Sequence, residues 1–372
     1  MSGGIKKRLH AVILAGGAGE RFWPASRRRL PKPFLQVVGG RSLLDATLSR
    51  ARQFTSPDRI WIVCGREHAA AVRRAAGLPR GHVLVEPERR NTALAVAWAS
   101  HRIHALDPDA VMAVLPADHH IPDARAFARD LRSAARAADT ESVLVTLGVR
   151  PTRPDTGYGY IEVGGEVGAG HPGLHRVSRF VEKPSEARAR KYFRGGRHLW
   201  NAGVFVWRAD RLLEEVRTCS PALHRALAPF RASRGAARRL AAVSSVYAKS
   251  PSLPVDVAVM EQSRRVWTLP VDFRWSDVGT WASLAEELGV GRAGAGRKRD
   301  AAGNRVIAGD VMTENASGNL VWGQSRLVAL VGVEGLAVVD TGDVILVTRL
   351  EGSSDVRRVV AELKKKGRDD LT

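Results

Sequence analysis

The sequence predicts an α/β protein: a mostly parallel mixed sheet with helices on both faces, followed by a small C-terminal all-β module. Three observations carry this expectation. Short apolar runs alternate with helically spaced apolar residues over the first 150 positions. A glycine-rich turn directly follows the first run, and beyond a charged, glycine-rich break the chain changes to short β-branched segments. Such alternation builds open sheets, and open sheets bind ligands beyond the carboxyl ends of their strands.

Taken in order, the apolar runs place strands at 10–15, 59–63, 83–85, 111–115 and 143–147. Helices are expected at 42–53, 67–76, 92–106 and 123–138. Ser42 followed by Asp45 resembles a weakened capping box, after which Leu43, Leu44, Thr47, Leu48 and Ala51 recur at helical spacing. From about 155 to 290 the pattern mixes strand-like pieces (160–163, 176–182, 203–207) with arginine- and alanine-rich helical stretches. The break at 289–303 reads as a linker, which sets expected domains at 1–292 and 300–372. Residues 306–350 read as short strands, by analogy a few coils of a β-helix although no strict repeat is visible, with 353–366 as a closing helix.

Composition narrows the function classes. A chain of 372 residues, 44% hydrophobic and 26% charged, packs a core. No apolar run approaches the roughly 20 residues of a membrane span. The basic start, Met1 to Arg8, precedes an apolar stretch (11–15) too short for a signal peptide, so the chain is expected in the cytoplasm and off the membrane. The two cysteines, Cys64 and Cys219, stand far apart without metal-ligand neighbours, which argues against disulfides and zinc. Cys64 ends an apolar run and reads as a core residue. The net charge of +20 would fit nucleic acid if the cations were clustered. They are spread along the chain, and no nucleic-acid-binding motif is present, so a site for small phosphorylated anions is the expectation.

After the first strand comes Gly16-Gly17-Ala18-Gly19-Glu20-Arg21-Phe22-Trp23-Pro24, then Ser26-Arg27 and Pro31-Lys32-Pro33. Closely spaced glycines let the backbone approach a polyphosphate and aim N–H groups at it. Phe22 stands where a dinucleotide fingerprint has its third glycine, and no Gly-Lys-Ser/Thr follows as in a P-loop. The prolines forbid a helix starting directly after the glycines. A long loop with two cations, Arg21 and Lys32, is what the residues leave. This stretch closely resembles the signature loop of the sugar-1-phosphate nucleotidyltransferase family, in the variant of its mannose-1-phosphate guanylyltransferase branch.

The resemblance runs from residue 11 to about 350 and implies a Rossmann-like nucleotidyltransferase domain with a β-helix-like module. It implies a nucleotide site comprising Leu14, Ala15, Gly16, Gly17, Gly19, Glu86, Asn91, Pro116 and Ala117. Glu86-Pro87-Glu88-Arg89-Arg90-Asn91-Thr92 resembles the segment beside the base, and guanine's N1–H and 2-amino donors call for oxygen acceptors such as Glu86 and Asn91. Asn91-Thr92 also reads as a cap of the following helix, and the two roles are compatible. Asp118, in Leu115-Pro116-Ala117-Asp118-His119-His120, and Asp277, in Trp275-Ser276-Asp277-Val278-Gly279, match the family's Mg²⁺ ligands. Adjacent His119 and His120 point to opposite sides and read as surface or supporting groups.

For the sugar, the resemblance implies Tyr158 and Gly159 in Thr156-Gly157-Tyr158-Gly159-Tyr160, and Glu182 with Lys183 in Phe180-Val181-Glu182-Lys183-Pro184. It adds Asn201 in Trp200-Asn201-Ala202-Gly203 and Asp256 in Pro254-Val255-Asp256-Val257-Ala258-Val259-Met260-Glu261. Pro254, Val255 and Leu94 depart from the family pattern. The implied reaction joins GTP and mannose 1-phosphate with Mg²⁺, with Arg21, Lys32 and Lys183 as the catalytic cations. No nucleic-acid or membrane partner is expected; a homodimer through the C-terminal module rests on analogy. The C-terminal segment is too short for an added isomerase domain. Alternatives kept open are a transferase for another base or sugar, a catalytically silent nucleotide-sugar sensor, and a nucleic-acid binder.

Overall fold

The computed structural model describes residues 3–17, 19–232, 236–292 and 300–372. Met1 and Ser2 of the basic start, Ala18 of the glycine loop and residues 293–299 of the expected linker lie outside the described residues. The chain divides into two compact units. One comprises Met1–Gly16, Thr47–Ala117 and Ile121–Trp275; the other comprises Gly17–Ala46, Asp118–His120 and Ser276–Thr372.

The first unit holds a nine-stranded sheet. Its strands are β1 (Leu9–Leu14), β2 (Ile60–Gly65), β3 (Val83–Glu86), β4 (Val111–Pro116), β5 (Leu144–Val149), β6 (Tyr160–Glu166), β7 (His175–Val181), β8 (His198–Arg208) and β9 (Val266–Val271). Their order is β3-β2-β1-β4-β8-β5-β9-β7-β6. β1 is parallel to β2 and β4, β2 to β3, and β5 to β9. β8 enters antiparallel between β4 and β5, which makes the sheet mixed. Leu9, Ala11, Val12 and Ile13 are all fully buried, so β1 is covered on both faces and reads as a continuous apolar run.

The five expected early strands form as β1 to β5 with ends shifted by a residue or two. β8 starts earlier than the expected 203–207, because His198, Leu199 and Trp200 pair with β6. β9 was not expected: Pro270 interrupts its apolar pattern and demotes it as a strand candidate. The helix Asn91–His104 buries Ala93 through Ser100 on all sides, as helices inside a core do. The helix Ala124–Glu141 is amphipathic, and Asp123 caps it by accepting a hydrogen bond from the Ala126 N–H at 2.8 Å. Among the described residues, no helix is long and apolar enough to cross a membrane.

The second unit holds β10 (Arg305–Glu314), β11 (Leu320–Val331), β12 (Leu336–Asp340) and β13 (Ile345–Arg349), in that order. The first three are parallel and follow one another without intervening helices, as in stacked coils; β13 returns antiparallel. The coil turns carry a short repeat that the sequence reading overlooked: Gly303-Asn304-Arg305-Val306 and Gly318-Asn319-Leu320-Val321. Gly303 and Gly318 both have positive φ, a conformation open to glycine at little cost. Asn304 and Asn319 stack as a ladder. The Asn319 amide donates to Asn304 Oδ1 at 2.9 Å and to the Val333 carbonyl at 3.1 Å, and its oxygen accepts from the Leu336 N–H at 2.8 Å.

The loop after β1 belongs to this second unit. Phe22, Trp23, Leu35 and Leu43 share one core with Val278, Trp281, Leu320, Val339, Val356 and Val360. Arg27 grips Asp343 with two nitrogens, at 2.5 and 2.8 Å, and Thr341 at 2.9 Å. Trp23 Nε1 donates to the Leu371 carbonyl at 2.7 Å. Ser42 Oγ donates to Asp45 and accepts from the Asp45 N–H, so the expected box-like cap forms at the start of Leu43–Ala51.

Asn319 is fully buried and satisfies backbone groups of neighbouring coils. Asn319→Ala is expected to cost about 2–4 kcal/mol, because each unpaired buried group costs about 1–3 kcal/mol. A urea denaturation series measures this, and a loss under about 1 kcal/mol would contradict the ladder's role.

Candidate functional site

The second unit carries a pocket of about 400 Å³ lined by Gly19, Arg21, Lys32, Asp118, His119, Asp277, Gly279 and their neighbours. Five sequence-predicted residues thus converge from three separate segments. The segments are joined by an antiparallel bridge: the His120 N–H donates to the Ser276 carbonyl at 2.8 Å, and the Ser276 N–H to the His120 carbonyl at 3.0 Å. Lys32 completes the join. Its ammonium lies 2.8 Å from Asp118 Oδ2 and donates to the Asp277 carbonyl at 2.7 Å, with only 6% of the residue exposed. Burial, the largest single influence, pushes the Asp118 carboxyl up, but the Lys32 and His119 charges and the hydrogen bonds it accepts together outweigh it and hold the group below the usual range. His119 faces the pocket, while His120 turns to Glu287 at 3.1 Å, the opposed pointing that the sequence predicted.

Gly19 is required where it stands. It has φ +62°, and a Cβ there would lie 2.4 Å from Ser26 Oγ and 2.8 Å from Lys32 Cβ. Val278 is a buried, β-branched residue at φ +43°, a conformation such residues rarely adopt. The Ser276 hydroxyl accepts the Val278 N–H at 3.1 Å and Asp277 Oδ1 accepts the Gly279 N–H at 3.0 Å, so the strained turn fixes the Asp277 carboxylate. The donor set fits a hard divalent cation: two carboxylates face one polar pocket, with room for water and phosphate oxygens. Among the described residues no group of three or more acidic, His or Cys ligands forms. Substrate oxygens would therefore complete the shell.

Gly17 belongs to the second unit but is not among the residues lining the pocket, and the first unit carries the remaining candidates in two groups. At the ends of β1 and β4, Leu14 and Ala117 are hydrogen-bonded (Ala117 N–H to the Leu14 carbonyl, 3.0 Å), with Ala15, Gly16 and Pro116 alongside in sequence. Glu86 is buried; Tyr247 donates to its Oε1 at 3.0 Å, and a Cβ on Gly16 would sit 3.1 Å from its Oε2. Burial pushes its carboxyl up to about 7 despite the tyrosine's bond. Asn91 is exposed at φ +61°, and its side chain accepts the Thr92 N–H at 2.9 Å. Thr92 Oγ1 accepts the Val255 N–H at 2.9 Å, so it ties the helix start to the Asp256 segment.

In the second group, Gly159, Glu182, Asn201 and Asp256 meet. A Cβ on Gly159 would lie 2.7 Å from Glu182 Oε2 and 3.3 Å from Asn201 Cβ. Asn201 Oδ1 accepts from Thr146 Oγ1 at 2.9 Å and from the Gly203 N–H at 3.1 Å. Those donors leave its amide nitrogen to hold Asp256 Oδ1, at 2.9 Å. Asn201 therefore positions Asp256 before it can touch any ligand. Asp256 begins a π-helical turn, Asp256–Met260, closed by the Glu261 N–H on the Asp256 carbonyl at 2.8 Å. Burial first, then the Glu182 charge, push Asp256 up to about 7. Lys183 is at φ +46°, well exposed, and 3.1 Å from Glu182 Oε1. Tyr158 packs edge-on against Trp200 and Trp275, at 4.9 and 5.2 Å between ring centres.

Sequence reasoning missed several supporting residues. Tyr247 holds Glu86, Thr146 holds Asn201, and Glu261 accepts the Glu182 N–H at 2.7 Å. Glu261 was visible as the last residue of a quoted motif; Tyr247 and Thr146 carry no local signal. Cys64 is buried in β2, and burial pushes its thiol up to about 12, consistent with a core role.

The nucleotidyl transferase family profile matches residues 10–289, and the profile of the MannoseP isomerase/GMP-like beta-helix domain matches 309–363. Xanthan biosynthesis protein XanB of Xanthomonas campestris pv. campestris is 39% identical over 97% of this chain and 74% of its own length. A mannose-1-phosphate guanylyltransferase of Escherichia coli is 35% identical over 97% of this chain and 75% of its own. A solved structure from Thermus thermophilus, described as a mannose-1-phosphate geranyltransferase, matches with TM-score 0.84 at 36% identity. That match covers 96% of this chain and 99% of the other.

The raised Glu86 carboxyl has a consequence for stability. Between its usual 4.5 and about 7, folded protein keeps a proton that the unfolded chain has released. Stability therefore falls as pH rises through that window and levels off above it. Glu86→Gln lacks this loss, so its stability relative to the parent protein is expected to improve by about 3 kcal/mol between about pH 4 and pH 8. Urea midpoints at both pH values measure the change; an equal difference at both would contradict burial of an ionisable Glu86.

Proposed function

From the premise that the chain belongs to the nucleotidyl transferase family, we propose that it transfers GMP from GTP to mannose 1-phosphate, forming GDP-mannose and pyrophosphate. The observation that carries the chemistry is the pocket in which Asp118 and Asp277 face Arg21 and Lys32. The family generally uses a divalent metal; Mg²⁺ is our assignment, with Asp118 and Asp277 as its holders. Bound there, it would offset negative charge on the reacting phosphates. The choice of guanine and mannose is supported by the Escherichia coli relative's name and by the acceptor groups on Glu86 and Asp256.

In this reading a phosphate oxygen of mannose 1-phosphate attacks the α-phosphorus of GTP. One P–O bond forms, the bond to the β-phosphate's bridging oxygen breaks, and pyrophosphate leaves with the electron pair. The attacking oxygen is already ionised, so no side chain has to remove a proton. Catalysis is then positioning and charge placement. Arg21 receives the terminal phosphates. Lys32 uses two of its three N–H bonds on Asp118 and the Asp277 carbonyl, which leaves the third for a phosphate oxygen. Gly19 lines the same pocket. Glu86 accepts from the guanine edge, Glu182 and Asp256 from sugar hydroxyls, and Lys183 steadies the sugar phosphate. Both substrates are cytoplasmic anions, and we place the protein in that compartment.

Pyrophosphate release from GTP and mannose 1-phosphate with Mg²⁺ tests the reading through variants. Asp118→Asn and Asp277→Asn are each expected to lower kcat by about 100-fold or more. Lys183→Ala is expected to act mainly on the KM for mannose 1-phosphate, by about 10-fold. Aspartate variants that raise KM alone, with kcat preserved, would overturn the assignment.

A further inference from the structure

The pocket has one lining residue that neither the sequence motifs nor the proposed mechanism uses. Arg357 comes from the C-terminal helix Val356–Lys365, more than 300 positions from the glycine loop, yet lines the same pocket as Arg21, Lys32, Asp118 and Asp277. Its neighbours fix its backbone. Val356 and Val360 are buried in one core with Phe22, and Lys364 pairs with Glu20 at 2.5 Å, so the helix is clamped to the turn that carries Arg21. Arg357 itself forms no ion pair among the described residues, whereas its neighbour Arg358 pairs with Asp355 within the helix, at 3.5 Å.

Charge decides what such an arginine is for. The pocket's cationic side chains are Arg21, Lys32 and Arg357, and its carboxylates are Glu20, Asp118 and Asp277. Lys32 is already committed to Asp118, and Glu20 to Lys364. Without Arg357 the lining has two cationic side chains, one of them already paired with Asp118, to receive the most highly charged part of a nucleoside triphosphate. A guanidinium is also the side chain best matched to two phosphate oxygens at once.

We propose that Arg357 is a phosphate-binding residue of this site: with Arg21 it holds the terminal phosphates of the nucleotide, which leave as pyrophosphate. The C-terminal module thereby contributes a side chain to the pocket as well as support for its loop. This rests on the nucleotidyl-transfer reading.

Calorimetric titration of the full chain with pyrophosphate and Mg²⁺ tests the assignment without needing turnover. Arg357→Gln is expected to weaken pyrophosphate binding about 10- to 100-fold, the loss expected for a charged hydrogen-bonding partner. Arg357→Lys is expected to fall between, and Arg358→Gln to bind as the parent protein does. Affinity for mannose 1-phosphate should be unchanged in all three. Because Arg357 is exposed, its loss leaves the core intact. Equal pyrophosphate affinity in Arg357→Gln and the parent protein would overturn the proposal. Arg357-dependent pyrophosphate binding in a protein that turns over no sugar phosphate would keep this site and sink the guanylyltransfer reading. A parent protein that binds no pyrophosphate would sink both.

Discussion

The buried ammonium of Lys32, held between Asp118 Oδ2 and the Asp277 carbonyl, is the contact on which the pocket depends. It brings together three segments that are remote in sequence: the loop after β1, the tip beyond β4, and the turn after β9. An ammonium this deeply buried is tolerable only when paired and hydrogen-bonded, and both partners are present. The same contact favours the ionised form of Asp118, which a cation site needs. The His120–Ser276 bridge sets the register of the two carboxylate segments, and Lys32 ties the glycine loop to them.

Backbone strain marks the same places. Of the five non-glycine residues with positive φ among the described residues, three, Asn91, Lys183 and Val278, stand inside segments that the family resemblance had singled out. Such conformations cost about 1–3 kcal/mol each and persist only where surrounding contacts over-determine them. At Val278 those contacts are a buried side chain and the flanking Ser276 and Asp277 bonds. Around Asp256 there is an electrostatic cost as well. Asp256 and Glu182 are neighbouring carboxylates, and Asn201 and Glu261 hold the segments that carry them. Two close acceptors suit a polyhydroxylated ligand, which brings further donors.

Much of this was legible in the sequence because the glycines, carboxylates and cations occur in short ordered motifs whose chemistry can be read locally. The first five strands were legible for a different reason: burial on both faces leaves an unbroken apolar run. What escaped depends on contacts between distant positions. Tyr247 reaches Glu86 across 161 residues, and nothing around it announces a partner. Arg357 looks like any solvated helix cation until the fold places it. β9 was hidden by Pro270, and the Gly-Asn-x-Val turns by their having only two clear copies. The Asn201 motif was legible but its bonds were not: its oxygen accepts from Thr146 and Gly203, and its amide nitrogen holds Asp256.

The central claim is that the protein selects GTP and mannose 1-phosphate. The direct test is pyrophosphate release from GTP, ATP, dTTP and UTP, each paired with mannose 1-phosphate or glucose 1-phosphate, with Mg²⁺ and with chelator. Release confined to GTP with mannose 1-phosphate, and abolished by the chelator, is the predicted result. Release with a different pair would contradict the roles given to Glu86 and Asp256, and no release from any pair would contradict the claim that the site is catalytic.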